Sequence, residues 1–89
     1  MKAVITVMGK DTLGIVARIS AVCAENSINV TEVSQSILDD IFVMLMMVDL
    51  KKATVSLADF GAKMKNIGQE MGLVIYVVHE DVFNSMHRI

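Results

Sequence analysis

The chain has 89 residues, of which 54% are hydrophobic and 20% are charged, and its formal net charge is −2 at neutral pH. This length predicts a single domain over residues 1–89 and excludes two separate cores. The slightly acidic balance, with scattered lysines and arginines, argues against a nucleic-acid partner. The longest apolar run, residues 41–48, is far shorter than the roughly 20 residues of a membrane-spanning helix, so we expect no membrane partner.

The only cysteine, Cys23, and the N-terminal residues bear on the cellular compartment. A single thiol cannot form an intramolecular disulfide, which suits a reducing cytoplasm. A β-alternating segment begins almost at once, which is not the pattern of a signal peptide. We therefore expect a cytoplasmic protein.

The first part of the chain predicts a strand followed by a helix. Residues 2–8 are rich in β-branched residues, as is typical of a strand. Residues 13–25 carry apolar side chains at helical spacing, and Asn26-Ser27 is a stop signal for that helix.

The next part predicts a β-hairpin. Residues 29–38 indicate a second strand, with a bulge near Glu32–Val33 where the alternation of apolar and polar residues fails. The pair Asp39-Asp40 predicts a two-residue turn into a third strand over residues 41–50. This third strand is apolar at nearly every position, so we expect both of its faces to be covered.

The C-terminal part predicts a helix, a strand and a short tail helix. Ser56 and Asp59 have the spacing of a capping box at a helix start, and Gly72 is a natural left-handed stop. Residues 73–79 indicate an apolar fourth strand, and residues 80–88 a short terminal helix. The predicted buried stripes are Leu57, Phe60, Met64, Ile67 and Met71 in the longer helix and Val82, Phe83 and Met86 in the tail helix.

The order β-α-β-β-α-β plus a tail helix indicates an α+β fold. Right-handed crossovers place both main helices on one face of a four-stranded antiparallel sheet, which is the ferredoxin-like sandwich. The other face then needs a cover, which the tail helix or a second subunit would supply. The apolar excess and the open sheet edges predict a homodimer, formed either edge to edge at the second strand or sheet on sheet.

Several chemistries that this fold hosts lack their residues here. The first loop has no Cys-x-x-Cys pair for a metal. Stacking of RNA bases needs aromatic residues on the middle strands, but the first strand has none and the third offers only Phe42. His79 and His87 have no evident third metal ligand, and no nucleophile has a neighbouring base. We therefore expect no metal, no cofactor and no catalytic residue, with Cys23 packed in the core.

The candidate site is the segment Gly-Lys-Asp-Thr-Leu-Gly, residues 9–14. Its glycines let the backbone turn sharply and let a ligand approach closely. Free N–H groups at the start of the following helix carry positive partial charge, and such a helix start binds a carboxylate or a phosphate. Asp11 is placed either to cap this helix or to contact a ligand. The alternative interpretation is a plain connection between strand and helix.

These residues resemble the ACT domain family, small regulatory modules that bind amino acids. The resemblance rests on Gly-x-Asp-x-x-Gly-Ile-Val at residues 9–16, on Asn29-Val30 and on Val-Ser-Gln-Ser at residues 33–36. It covers nearly the whole chain and is closest to small stand-alone bacterial and archaeal ACT proteins, similar to the ACT domains of the glycine cleavage system transcriptional repressor. It implies a ligand between the first loop and the start of the second strand, often at a subunit interface. The residues implied are Asp11, Thr12, Leu13, Gly14, Ile15, Ile28, Asn29 and Val30.

The resemblance also implies a function. It indicates a non-catalytic protein that senses a small amino acid and signals through dimer contacts or a regulated protein partner. An ACT-type dimerisation or interaction module without a ligand is the alternative. A small enzyme is a third hypothesis, for which the first loop offers only Lys10 and Asp11.

Overall fold

The computed structural model describes residues 1–86, which form a four-stranded antiparallel sheet and three helices. In chain order the elements are β1 (Lys2–Lys10), α1 (Ile15–Glu25), β2 (Asn29–Leu38), β3 (Ile41–Asp49), α2 (Leu57–Met71), β4 (Leu73–His79) and α3 (Glu80–Met86). The strand order across the sheet is β2-β3-β1-β4, so β2 and β4 are the edge strands. The predicted ferredoxin-like α+β fold is confirmed.

The hydrophobic core lies between the sheet and helices α1 and α2. Alternate residues of the strands point toward this side, where the helices cover them. Its fully buried members include Ala3, Ile5 and Val7 of β1, Met44, Met46 and Val48 of β3, Ile19 and Cys23 of α1, and Phe60 and Met64 of α2. Burial raises the pKa of the Cys23 thiol to about 11, so this thiol stays protonated at neutral pH.

Local sequence signals placed several element boundaries correctly. The Ser56 hydroxyl accepts a hydrogen bond of 3.1 Å from the Asp59 backbone N–H, which is half of the predicted capping box. Gly72 ends α2 in the left-handed conformation, with φ 71°. The β2–β3 turn is Asp39–Asp40, with φ 63° at Asp39, and the strand register shifts between Val30 and Glu32, next to the predicted bulge.

Two predicted boundaries are wrong. The first strand continues to Lys10 because it pairs with β3 along its whole length, and α1 begins at Ile15 rather than Leu13.

The predicted buried stripe of α3 is also wrong. Val82 and Met86 are exposed, and only Phe83 is half-buried, in a small cavity that Leu45 also lines. The last predicted helical residues, 87 and 88, lie outside the described residues.

The sheet face away from α1 and α2 is only partly covered, and we call it the open face. The β3 residues on this side, Val43, Leu45 and Met47, are half-buried, so the expectation that both faces of β3 are covered is only partly met. The reason is that α3 has only seven residues and, within the described chain, packs mainly on β1 and β4. It therefore covers little of β3. The exposed apolar residues on this face are Met8, Leu38, Ile41, Val74 and Tyr76.

The β2 strand extends beyond the cover that the helices provide. None of its residues from Thr31 to Leu38 is buried. Val33 and Ile37 point to the helix side of the sheet, yet they are 44% and 57% exposed. Within the described residues, the sheet therefore has an apolar, unpaired edge at β2 in addition to its open face.

Gly68 and Gly61 of α2 give a matched test of how closely this helix packs on β4. A Cβ on Gly68 would lie 2.7 Å from the carbonyl oxygen of Leu73, so Gly68→Ala must push the helix from the strand. We expect it to lower the free energy of unfolding by about 1–3 kcal/mol. A Cβ on Gly61 meets nothing within 4 Å, so a substitution at this site tests helix propensity alone. Gly61→Ala should raise the free energy of unfolding by about 1 kcal/mol. Urea denaturation measures both, and equal effects would contradict close packing at Gly68.

Candidate functional site

The β1–α1 loop, residues 11–14, leaves the sheet beside the β2–β3 turn. The backbone N–H of Asp11 donates a hydrogen bond of 3.0 Å to the carbonyl oxygen of Asp40, which ties the loop to the turn. Gly14 then occupies the N-cap position of α1 with φ 83°, in the left-handed region that glycine adopts without strain. Its carbonyl oxygen accepts from the Arg18 N–H at 3.0 Å, which closes the first helical turn.

The expectation that Asp11 could cap α1 is wrong. The N-cap position falls three residues later, at Gly14, and within the described chain no side chain accepts a hydrogen bond from the first turn of α1. The first-turn N–H groups, which carry the positive end of the helix dipole, therefore have no side-chain acceptor. The Asp11 carboxylate is exposed and takes no part in the cap.

A surface hollow of about 390 Å³ lies over this loop, and we call it the loop hollow. A Cβ built on Gly14 would meet nothing within 4 Å, so the hollow is open above the backbone there. The loop, the first turn of α1 and Phe42 of β3 line it. The five residues of the first predicted group all line it, namely Asp11, Thr12, Leu13 and Gly14 of the loop and Ile15 at the start of α1.

The second group of predicted residues lies at the opposite end of the sheet. Asn29 pairs with Asp49, which pairs with Lys2, whereas the loop follows Lys10. The strand from Lys2 to Lys10 spans about 26 Å at roughly 3.3 Å per residue. One chain therefore does not bring Asn29 to the loop hollow.

The residues of the second predicted group, Ile28 just before β2 and Asn29 and Val30 at its start, differ in accessibility. Ile28 is buried in the core and Val30 is half-buried against it, so only Asn29 is exposed to a ligand. Asn29 lines a second hollow of about 340 Å³, which we call the β2-start hollow. Its other lining residues are Ser27, Asp49, Lys51 and Lys52.

Sequence reasoning missed the polar residues that surround Asn29. Lys51 and Lys52 lie between the predicted third strand and the predicted helix start at Ser56, and Asp49 lies within that strand. Pairing β2 with β3 residue by residue from the Asp39–Asp40 turn would have placed Asn29 within one residue of Asp49. The bulge between Val30 and Glu32 shifts the register by that one residue. The Asp49 carboxylate accepts a hydrogen bond of 2.9 Å from the Lys51 backbone N–H and lies 4.0 Å from the N-terminal amine.

Side chains suited to metal binding do not converge in the described chain. Among residues 1–86, no three His, Cys, Asp or Glu side chains come together in a way that could hold a metal ion. The His79 ring nitrogen lies 3.7 Å from the Asp81 carboxylate, while His87 lies outside the described residues. In that same range, no helix is long and apolar enough to cross a membrane.

Comparison with known proteins identifies relatives along nearly the full length of this chain. The family model described as "ACT domain" matches residues 2–78. The UPF0237 protein of Methanopyrus kandleri is 46% identical over 88 residues, which cover 99% of this chain and 98% of that protein.

Solved structures give the same result. An ACT domain protein from Streptococcus pneumoniae superposes with a TM-score of 0.81 at 34% identity, covering 93% of both chains. A putative glycine cleavage system transcriptional repressor superposes with a TM-score of 0.75 at 18% identity, and the match covers 86% of this chain and 44% of that one. The second likeness concerns the fold alone. This chain therefore belongs to the ACT domain family of regulatory ligand-binding modules.

Proposed function

We propose that this protein binds a small amino acid at a site that two copies of the chain complete together. The observation that supports this proposal is the separation of the two groups of candidate residues by about 26 Å within one chain. β2 is an edge strand, and a second β2 can add to it antiparallel. The start of one β2 then lies beside the end of the other, so Asn29 approaches the loop hollow of the partner.

The chemistry of the loop hollow suits the carboxylate of an amino acid. The first-turn N–H groups of α1 have no side-chain acceptor, and a carboxylate bound there would accept hydrogen bonds from them. The ligand's ammonium group would contact the Asp11 carboxylate or the side-chain oxygen of the partner's Asn29. The proposed role is non-catalytic binding in the cytoplasm, where the buried, free Cys23 remains reduced.

Such a site would make assembly depend on the ligand. A ligand that contacts both chains binds the dimer more tightly than the monomer, so by linkage it strengthens the dimer. A regulated protein partner would then recognise the dimer or its liganded form.

The alternative function is dimerisation without a ligand. It is favoured by the apolar side chains at the uncovered β2 edge, Val33 and Ile37, and by Leu13, which is almost fully exposed. Buried between two chains, such residues would stabilise a dimer through the hydrophobic effect alone.

A thermal-shift screen with the twenty amino acids tests for the ligand. At millimolar concentration, a ligand with micromolar affinity should stabilise the protein by about 4 kcal/mol, which gives a clear rise in Tm. Thr12→Asp is the control, because it places a carboxylate in the loop hollow at an exposed position and should abolish the shift without unfolding the chain. If no amino acid raises the Tm, the ligand-free module is the better description.

Mixing two binding-deficient variants tests whether the site is shared. Thr12→Asp damages the loop hollow and Asn29→Ala damages the β2 start, so each variant alone should lose binding. In a mixed dimer of the two, one of the two sites combines an intact loop with an intact Asn29. Random pairing makes about half of the dimers in an equal mixture mixed, so about a quarter of the wild-type binding capacity should return. Isothermal titration of the mixture measures this capacity, and no recovery would mean that the site lies within one chain.

Two lysine substitutions distinguish the edge-to-edge dimer from the sheet-on-sheet dimer. Ile37 at the β2 edge and Val74 on the open face are 57% and 60% exposed, so both positions tolerate a charge in the folded monomer. For the edge-to-edge dimer, Ile37→Lys should release monomers while Val74→Lys leaves the dimer intact. Sedimentation at micromolar concentration measures the outcome, and the reverse pattern would indicate sheet-on-sheet packing.

A further inference from the structure

We propose that the Lys51–Lys52 pair binds the acidic Asp39–Asp40 turn of a second copy of this chain, an inference that rests on the dimer proposed above. Both segments are exposed, and they lie at opposite ends of β3: the turn precedes Ile41 and the lysines follow Leu50. β3 holds them about 26 Å apart, at roughly 3.3 Å per residue. This separation is about three times the Debye length at physiological ionic strength, so the two charged segments do not neutralise each other within one chain.

In the part of the chain that the structure describes, the lysines have no acidic partner. Within residues 1–86, no carboxylate lies within salt-bridge distance of the ammonium groups of Lys51 or Lys52. The one carboxylate that lines the β2-start hollow, Asp49, lies next to the N-terminal amine at 4.0 Å and accepts from the Lys51 backbone N–H. The hollow therefore has two cationic side chains at its rim and space of about 340 Å³ beside them.

The acidic turn is likewise without a cationic partner in the described part of the chain. Asp39 and Asp40 are exposed, and Asp11 lies beside them because its backbone N–H donates to the Asp40 carbonyl oxygen. Three carboxylates are thus grouped at the end of the sheet that holds the loop hollow, with Lys10 as the cation next to them in sequence.

The distribution of charge selects one direction of strand pairing. When a second β2 adds antiparallel, the Asp39–Asp40 turn of each chain meets the β2-start hollow of the other, and two-fold symmetry makes this contact twice. Parallel addition would bring lysines to lysines and aspartates to aspartates, which is repulsive. The apolar residues Val33 and Ile37 supply buried area at such a seam, while the paired charges fix its orientation.

Charge reversal with rescue tests the contact. The turn variant carries Asp39→Asn and Asp40→Lys, because Asp39 has φ 63° and asparagine tolerates this conformation better than lysine. The hollow variant carries Lys51→Glu and Lys52→Glu. We expect each variant alone to raise the dimer Kd by about tenfold or more, since both of its contacts become repulsive. An equal mixture of the two variants should form a heterodimer. One of its contacts joins a native turn to native lysines, and the other joins the lysine-bearing turn to the glutamate-bearing hollow, so both contacts are attractive.

Native mass spectrometry of the mixture and sedimentation at low and high salt give the readout. The expected results are a heterodimer that is favoured over both variant homodimers and a wild-type dimer that weakens as salt rises. Variant homodimers with wild-type Kd, or a mixture without preferred pairing, would overturn the contact while leaving the dimer in place. A wild type that is monomeric at low salt would overturn the dimer as well.

A small-anion site in the same hollow is an outcome that these measurements separate. Inorganic phosphate is the probe. It could raise the Tm of the wild type and not that of the hollow variant, while both charge-reversal variants keep the wild-type dimer Kd. In that outcome the lysines bind a free anion instead of a second copy. Amino-acid binding is scored independently by the thermal shift, so loss of that function would not be confused with loss of the charge contact.

Discussion

The pairing of β3 with both β1 and β2 is the constraint on which the rest of the molecule depends. Its helix-facing side chains Met44, Met46 and Val48 are fully buried, whereas the residues between them face the open side. A slip of one residue would turn every buried side chain out of the core, so the register is fixed. That register places the β1–α1 loop and the β2–β3 turn at one end of the sheet and the start of β2 at the other.

The position of β2 at the sheet edge links the fold to its proposed function. The helices cover the centre of the sheet and leave Val33 and Ile37 in solvent. Among residues 1–86, no strand pairs with the outer backbone groups of β2. An edge of this kind favours addition of another strand. Because the two candidate half-sites lie at the two ends of the same edge strand, one antiparallel pairing would bury the edge and join the half-sites together.

Much of the fold could be predicted from the sequence because its signals are local. Ser56, Gly72 and the Asp39–Asp40 turn each act through the backbone conformation of a few residues, and the structure places them as expected. The start of α1 was not predictable in this way: a capping residue was expected at Asp11, but the extension of β1 to Lys10 leaves Gly14 as the N-cap. Pairing with β3 decides that extension, and it is a long-range effect.

The uncapped start of α1 connects the energetics of the fold with the candidate site. A side-chain cap is worth about 1 kcal/mol, and α1 has none, although Thr12 lies only two residues before Gly14. An internal cap would occupy the same N–H groups that a carboxylate ligand needs, so a filled cap and a ligand exclude each other. Glycine at φ 83° turns the chain into the helix without a side chain of its own over these groups. In the proposed complex the ligand carboxylate takes the place of the missing cap, so part of its binding free energy is the stabilisation that capping residues give other helices.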